Sequence, residues 1–250
     1  MERAGIKPND TILEVGGGTG MLSLKLLPKC GKLICYEKDT RLAAELVKKV
    51  NAQRLAHKFE LNVGDVLRAT FPPFDMCISN IPYQISSPLL FKLLQENFKC
   101  AYIMFQREFA QRLIARPGCS EYSRLSVSVQ LLAKVHNVMN VSRNSFVPPP
   151  MVDSSVVRIE PRDPRPPINI EEFNRLLKIC FLRKNKKLSG IFKRTVIQGM
   201  QKVNRALAVQ EIEQKTARIL RKLKVDRAAK MDIEDFLHLL LEFKKEGINF

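Results

Sequence analysis

At 250 residues the chain can form one large domain, or a large one with a small companion. With 45% hydrophobic and 27% charged residues it has a globular composition rather than a disordered one. It also lacks the run of about 18 apolar residues that a membrane-spanning helix needs.

The formal net charge of +17 is the outlying value. Residues 165–250 hold 20 Lys and Arg against 10 Asp and Glu, so the C-terminal third carries more than half of the excess. Such a surface attracts a polyanion, and nucleic acid is favoured over an anionic membrane. The six cysteines (Cys30, Cys35, Cys77, Cys100, Cys119, Cys180) show no CxxC spacing. Three of them, Cys35, Cys77 and Cys100, fall in or beside apolar runs, where Cys acts as a small hydrophobe. A reducing compartment without a zinc site is expected. His57, His136 and His238 are isolated and have no metal-ligand spacing.

In chain order, short apolar runs at Thr11–Val15, Leu33–Tyr36, Phe59–Val63, Met76–Ser79 and Ala101–Phe105 read as strands. Met21–Leu27, Arg41–Val50, Pro88–Glu96 and Glu108–Ala115 read as the helices between them. This alternation predicts an α/β fold, a doubly wound Rossmann-like parallel sheet covered on both faces. Val135–Val141 and Ser154–Ile159 are two further strands, separated by the stiff loop Phe146-Val147-Pro148-Pro149-Pro150. The run 161–169, rich in proline, reads as an extended linker. Beyond it the apolar spacing is helical throughout, and Asp232 is placed to cap the last helix. The expected division is therefore a larger domain at 1–160, a linker at 161–169 and a small all-helical basic domain at 170–250.

The glycine-rich run Glu14-Val15-Gly16-Gly17-Gly18-Thr19-Gly20 follows the first strand and opens a helix. Glycines there allow a tight turn and let a ligand approach the main chain. The spacing is not that of GxGxxG, and no Lys-Ser/Thr pair follows, so a phosphate cradle is not expected. Glu37 closes the second strand, where a carboxylate can accept from both ribose hydroxyls. Asp65, followed by Val66, comes after the third strand and is placed to bond an adenine amino group, and Asn80 ends the fourth. A cofactor with an adenosine but no phosphate fits this register, and S-adenosylmethionine is such a cofactor.

Asn80-Ile81-Pro82-Tyr83 is the second informative element. The N6 lone pair of adenine is delocalised into the ring, which makes the amine a poor nucleophile. The Asn80 carboxamide and the Ile81 carbonyl can accept both N6 hydrogens and pull the nitrogen toward tetrahedral geometry. Pro82 stiffens the backbone, and the Tyr83 ring offers a stacking face. Arg183-Lys184-Asn185-Lys186-Lys187 begins the basic face of the helical domain, where Arg183, Lys184, Lys186 and Lys187 are candidate phosphate contacts. Phe105 ends a predicted strand and reads as core.

These strings, with Gly64-Asp65-Val66, NIPYQISSP (80–88), MFQREFA (104–110), FVPPPMVDSSVVRI (146–159) and Met231–Phe236, run through almost the whole chain. Through them it resembles the rRNA adenine N6-dimethyltransferases, on the eukaryotic nuclear branch. The resemblance implies N6,N6-dimethylation of two adjacent adenosines near the 3′ end of small-subunit (18S) rRNA, using S-adenosylmethionine. It also implies work on pre-40S particles in the nucleus and nucleolus; from the residues themselves a monomer is expected, with no membrane partner and no metal. On matching positions it implies that Glu14, Gly16, Gly18, Gly20, Glu37, Asp65, Val66 and Asn80 form the cofactor site. Asn80, Ile81, Pro82 and Tyr83 would present the adenine, with Phe146 as a second stacking face. The family also has a cofactor-contacting segment ahead of the first strand, which is expected to be missing upstream of Met1. Two other readings stay open: an rRNA-binding assembly or transcription factor with dispensable catalysis, and a glutamine methyltransferase acting on protein.

Overall fold

In the computed structural model, which describes residues 4–224 and 226–250, the first two-thirds of the chain build one seven-stranded sheet. The strands are β1 (Thr11–Val15), β2 (Lys32–Glu37), β3 (Phe59–Val63), β4 (Met76–Asn80), β5 (Cys100–Gln106), β6 (Ala133–Val141) and β7 (Ser154–Pro161). Their spatial order is β3-β2-β1-β4-β5-β7-β6. The first five are mutually parallel, whereas β7 runs antiparallel to both β5 and β6. The five strands read from strand-helix alternation form the expected parallel sheet, and the two further strands add an antiparallel pair at one edge. The last two strands are joined by a loop rather than by a crossover helix, so the chain reverses and β7 inserts between β5 and β6.

Helices α1 (Ser23–Leu26), α2 (Thr40–Ala52) and α3 (Ser86–Leu93) fill the first crossovers. Asp39 starts α2 by accepting from the Arg41 and Leu42 amides at 2.8 and 3.4 Å, as an N-cap acid should. One face of the sheet packs Ile12, Leu33, Cys35 and Ile78 against Leu26 and Leu46. Cys35, Cys77, Cys100 and Phe105 are all buried.

The chain divides into two compact units. One is Met1–Ala110 with Leu132–Asp163, and the other is Gln111–Leu131 with Pro164–Phe250. A cut at 160 alone places residues 111–131 with the sheet. Their packing places them with the helices, because Tyr122, Val127 and Leu131 share a core with Phe173, Leu177 and Phe236. In this second unit, α4 (Arg107–Ile114) and α5 (Arg124–Leu132) cross the two boundaries of the 111–131 insert. After it come α6 (Ile170–Cys180), α7 (Leu188–Ile191), α8 (Arg194–Gln201), α9 (Val209–Leu223) and α10 (Ile233–Lys245). Asp232 caps α10 in a reciprocal capping box with Asp235.

Candidate active site

The strand order reverses between β1 and β4, and there the two strands part. Their ladder pairs only Ile12 with Met76 and Leu13 with Cys77. Above that, the Val15 amide donates to the Ser79 hydroxyl at 2.9 Å in place of a strand partner. Open α/β sheets bind ligands at such a switch point, beyond the carboxyl ends of the strands. The candidate cofactor and acceptor residues of the first unit lie at or follow the carboxyl ends of strands, and the loop that carries Phe146 follows the carboxyl end of β6 on the same edge.

The glycine turn follows β1. Gly16, Gly18 and Gly20 have φ values of +77°, +53° and +87°, a region that side chains avoid. A Cβ on Gly16 would lie 3.4 Å from the Asn80 carbonyl oxygen and 3.4 Å from Pro82 Cδ, so the turn and the Asn80–Tyr83 motif abut. A Cβ on Gly18 would meet nothing within 4 Å, which leaves that stretch of main chain open to a ligand. Gly17 is required by packing instead. A Cβ there would sit 2.5 Å from Cys35 Sγ and 2.9 Å from Leu46 Cδ2, and no spacing rule announces it.

Glu37, buried at the end of β2, holds the turn from the other side. Its Oε2 accepts the Gly18 amide at 2.8 Å and its Oε1 accepts the Asp39 amide at 2.8 Å. Each oxygen keeps a lone pair for a hydroxyl donor. Asp65 follows β3 with its carboxylate partly engaged: Oδ1 accepts the Leu67 amide at 3.0 Å and Oδ2 faces Lys38 Nζ at 3.2 Å. These two partners hold its carboxyl below the usual range, the amide more strongly. The Val66 side chain beside it is buried.

Glu14 is the anomaly of the site. It is 1% exposed and its Oε2 has no hydrogen-bond partner. Burial pushes its carboxyl up to about 8, and the negative charge of Glu37 adds to the rise. The Ser23 hydroxyl offsets part of it, although Ser23 Oγ closes no hydrogen bond of normal geometry. Burial thus favours the protonated form of the acid beneath the turn.

Asn80 is exposed at the end of β4, and among the described residues nothing hydrogen-bonds its carboxamide. Ile81 turns inward and is buried, Pro82 is exposed, and Tyr83 begins a 3-10 turn over Tyr83–Ile85. The Ser86 hydroxyl donates to the Tyr83 carbonyl at 2.8 Å. A cleft of about 710 Å³ opens beside Asn80, with an apolar floor of Ile78, Tyr102, Met104 and Val156 and with Lys25 and Lys29 on its rim. That volume lies within the range of small-molecule sites. Phe146 lies half-buried in the loop between β6 and β7.

In the helical unit the basic run separates into two kinds of residue. Lys184 is tied inward, its ammonium donating to the carbonyls of Ser120 and, at 3.0 Å, of Tyr122. Arg183, Lys186 and Lys187 remain exposed, Lys187 with a long 3.9 Å pairing to Asp226.

The residues at the sheet edge fit an adenosine cofactor without a phosphate. They offer an open glycine main chain and a carboxylate with spare lone pairs, and the Lys49 ammonium beside the turn is engaged by the Thr19 carbonyl at 2.9 Å. A sheet with this switch point and a glycine turn abutting an Asn-x-Pro-Tyr motif defines the Rossmann-like methyltransferase class. The model of the ribosomal RNA adenine dimethylase family matches residues 1–228, and the chain belongs to that family. A Drosophila melanogaster protein described as a probable dimethyladenosine transferase is 48% identical over 264 residues, spanning all of this chain and 86% of its own length. A dimethyladenosine transferase of Yarrowia lipolytica is 46% identical over 268 residues, spanning all of this chain and 84% of its own. Among solved structures, a dimethyladenosine transferase from Plasmodium falciparum superposes with a TM-score of 0.89 at 42% identity, covering 99% of this chain and 94% of its own. The 23S rRNA methyltransferase ErmE does so with a TM-score of 0.68 at 26% identity, covering 97% and 94%.

Proposed function

We propose that this protein dimethylates the N6 amines of two adjacent adenosines near the 3′ end of small-subunit rRNA, using S-adenosylmethionine, on particles still being assembled in the nucleolus. The observation that carries the reading is that a side chain on Gly16 would come within 3.4 Å of the Asn80 carbonyl and of Pro82. It puts a turn suited to an adenosine cofactor and a motif suited to an aromatic amine on one edge. The charge of +17 supplies the attraction to RNA.

When bound, S-adenosylmethionine supplies a methyl group already activated by a sulfonium. The chain's own residues then need to position the acceptor and no strong base is required. Glu37 accepts from the ribose hydroxyls, while Gly16 and Gly18 let the cofactor lie against the main chain. Asp65 takes the adenine amine of the cofactor, with Val66 as an apolar neighbour. Asn80 Oδ1 and the Ile81 carbonyl accept the N6 hydrogens of the target base, which draws the nitrogen lone pair out of the ring. Tyr83, with Phe146 opposite, holds the flipped base by stacking. Each transfer leaves a cationic amine that loses its proton to water, so after the first a single N–H remains, and one of the two acceptors is enough to keep the amine aligned for the second. Arg183, Lys186 and Lys187 contact phosphates, which positions the RNA without reading its sequence.

Incubation of the full-length protein with methyl-labelled cofactor and unmethylated small-subunit particles should place label on two neighbouring adenosines near the rRNA 3′ end. Label on protein, or none at all, would refute the assignment.

A further inference from the structure

Ser154 heads β7, is fully buried, and shares a 2.5 Å hydrogen bond with the Tyr83 hydroxyl. The Tyr83 main chain is held separately by Ser86, so the ring is fixed at both ends. The preceding residue does the equivalent for the loop that carries Phe146. Asp153 Oδ1 accepts the Arg143 amide at 3.0 Å, and the Phe146 amide donates to the Arg143 carbonyl at 3.2 Å. The Asp153 carbonyl accepts the Arg107 amide at 2.9 Å, and Oδ2 lies 3.6 Å from the Arg107 guanidinium. Ser154 pairs with Gln106 of β5 on one side and with Val141 of β6 on the other. The dipeptide therefore sits where the backbone is clamped between two strands, the kind of rigid support that a site needs behind its working groups.

We propose that Asp153 and Ser154 form a positioning pair, Ser154 setting the tilt of the Tyr83 ring and Asp153 setting the loop of Phe146, so that together they fix the slot that receives the target adenine. This rests on the functional reading above. With its hydroxyl engaged by Ser154, Tyr83 contributes a ring face and no proton. Loss of the hydroxyl then costs orientation alone.

The test is a double-mutant cycle in the full-length protein over Tyr83→Phe, Ser154→Ala and the double variant, with Asp153→Ala alongside. Steady-state methylation of small-subunit particles gives kcat and KM for RNA, and equilibrium dialysis gives cofactor affinity. Each single variant should lower kcat/KM for RNA roughly tenfold, since misplacement of the ring is all that is lost. The double variant should be no worse than the worse single, because both remove one bond. Cofactor affinity should stay within about twofold, because no part of the pair lies on the glycine turn. Asp153→Ala should raise KM for RNA in the same way. Additive single effects, or Tyr83→Phe matching the wild type, would overturn the pairing. If Ser154→Ala does not fold, Tyr83→Phe, which leaves β7 intact, carries the test. If the wild type labels no adenosine, the functional reading fails, and the cycle run on 2-aminopurine quenching in a bound RNA oligonucleotide then decides the Ser154–Tyr83 pairing alone.

Discussion

Replacing Glu14 by Gln should make the protein more stable at alkaline pH, an unusual result for a residue inside a glycine-turn motif. The folded chain holds this carboxyl at about 8, against an ordinary value of 4.5 for the unfolded chain. Between those values the folded state keeps a proton that the unfolded state has released, so stability falls as pH rises. The fall is about 1.4 kcal/mol per pH unit, or about 5 kcal/mol over the whole window. The contribution is fully present below 4.5 and gone once pH passes about 8. Glutamine keeps the shape and cannot ionise, so the variant escapes this loss. Urea unfolding of both proteins from pH 5 to pH 8.5, followed by far-UV circular dichroism, gives the difference in stability at each pH. Titrating groups that do not interact with Glu14 are common to both chains and cancel. The difference should grow steadily in favour of Glu14→Gln and level off above pH 8. A flat difference, or one that favours the wild type at high pH, would show that the carboxyl is ionised in the folded state and has a partner or solvent that the structure does not give it.

Asn80→Ala should abolish methyl incorporation, by about a thousandfold or more, with an unchanged melting curve, because the side chain is exposed and bonds nothing that holds the fold. Gly17→Ala should cost about 1–3 kcal/mol in urea unfolding from the clash with Cys35 and Leu46. Adding Cys35→Ala should recover part of that loss. Lys184→Met should lower stability by about 1–2 kcal/mol by freeing two carbonyls, and should leave the salt dependence of RNA binding unchanged. Arg183→Gln should do the reverse, lowering the slope of log affinity against log salt by roughly one phosphate contact.

Local pattern revealed what local forces decide. The five parallel strands stand out as apolar runs bounded by breakers, and β1 and β3 match residue for residue. Asp232 signals its cap because capping involves residues within one turn. The direction and neighbours of β7 are not written in its residues, since a period of two marks a strand and not its partner. Residues 116–132 receive no element from the sequence, yet α5 forms at Arg124–Leu132. Its Ser126-Val127-Ser128-Val129 alternation favours a strand. The helix prevails because Val127 and Leu131 enter the helical core. Both serines also find partners there, Ser126 with the Arg112 carbonyl at 2.6 Å and Ser128 with Asn174 at 2.7 Å. At the site, the turn and the Asn80 motif were legible from spacing. Gly17, the orphaned acid of Glu14 and the Ser154 anchor were not, because each depends on atoms far along the chain; Ser154 and Tyr83 are 71 residues apart.

The detour of residues 111–131 constrains how this protein can be dissected or reshuffled. The polypeptide leaves the sheet, lends Tyr122, Val127 and Leu131 to the helices, and returns to lay down two more strands before the helices are completed. A gene cut near codon 163 would thus yield an amino-terminal piece with an orphaned greasy insert and a carboxy-terminal piece short of part of its own interior. Neither half is a self-contained module. During synthesis, the helical unit cannot close until the ribosome has passed α10, long after its first segment has emerged.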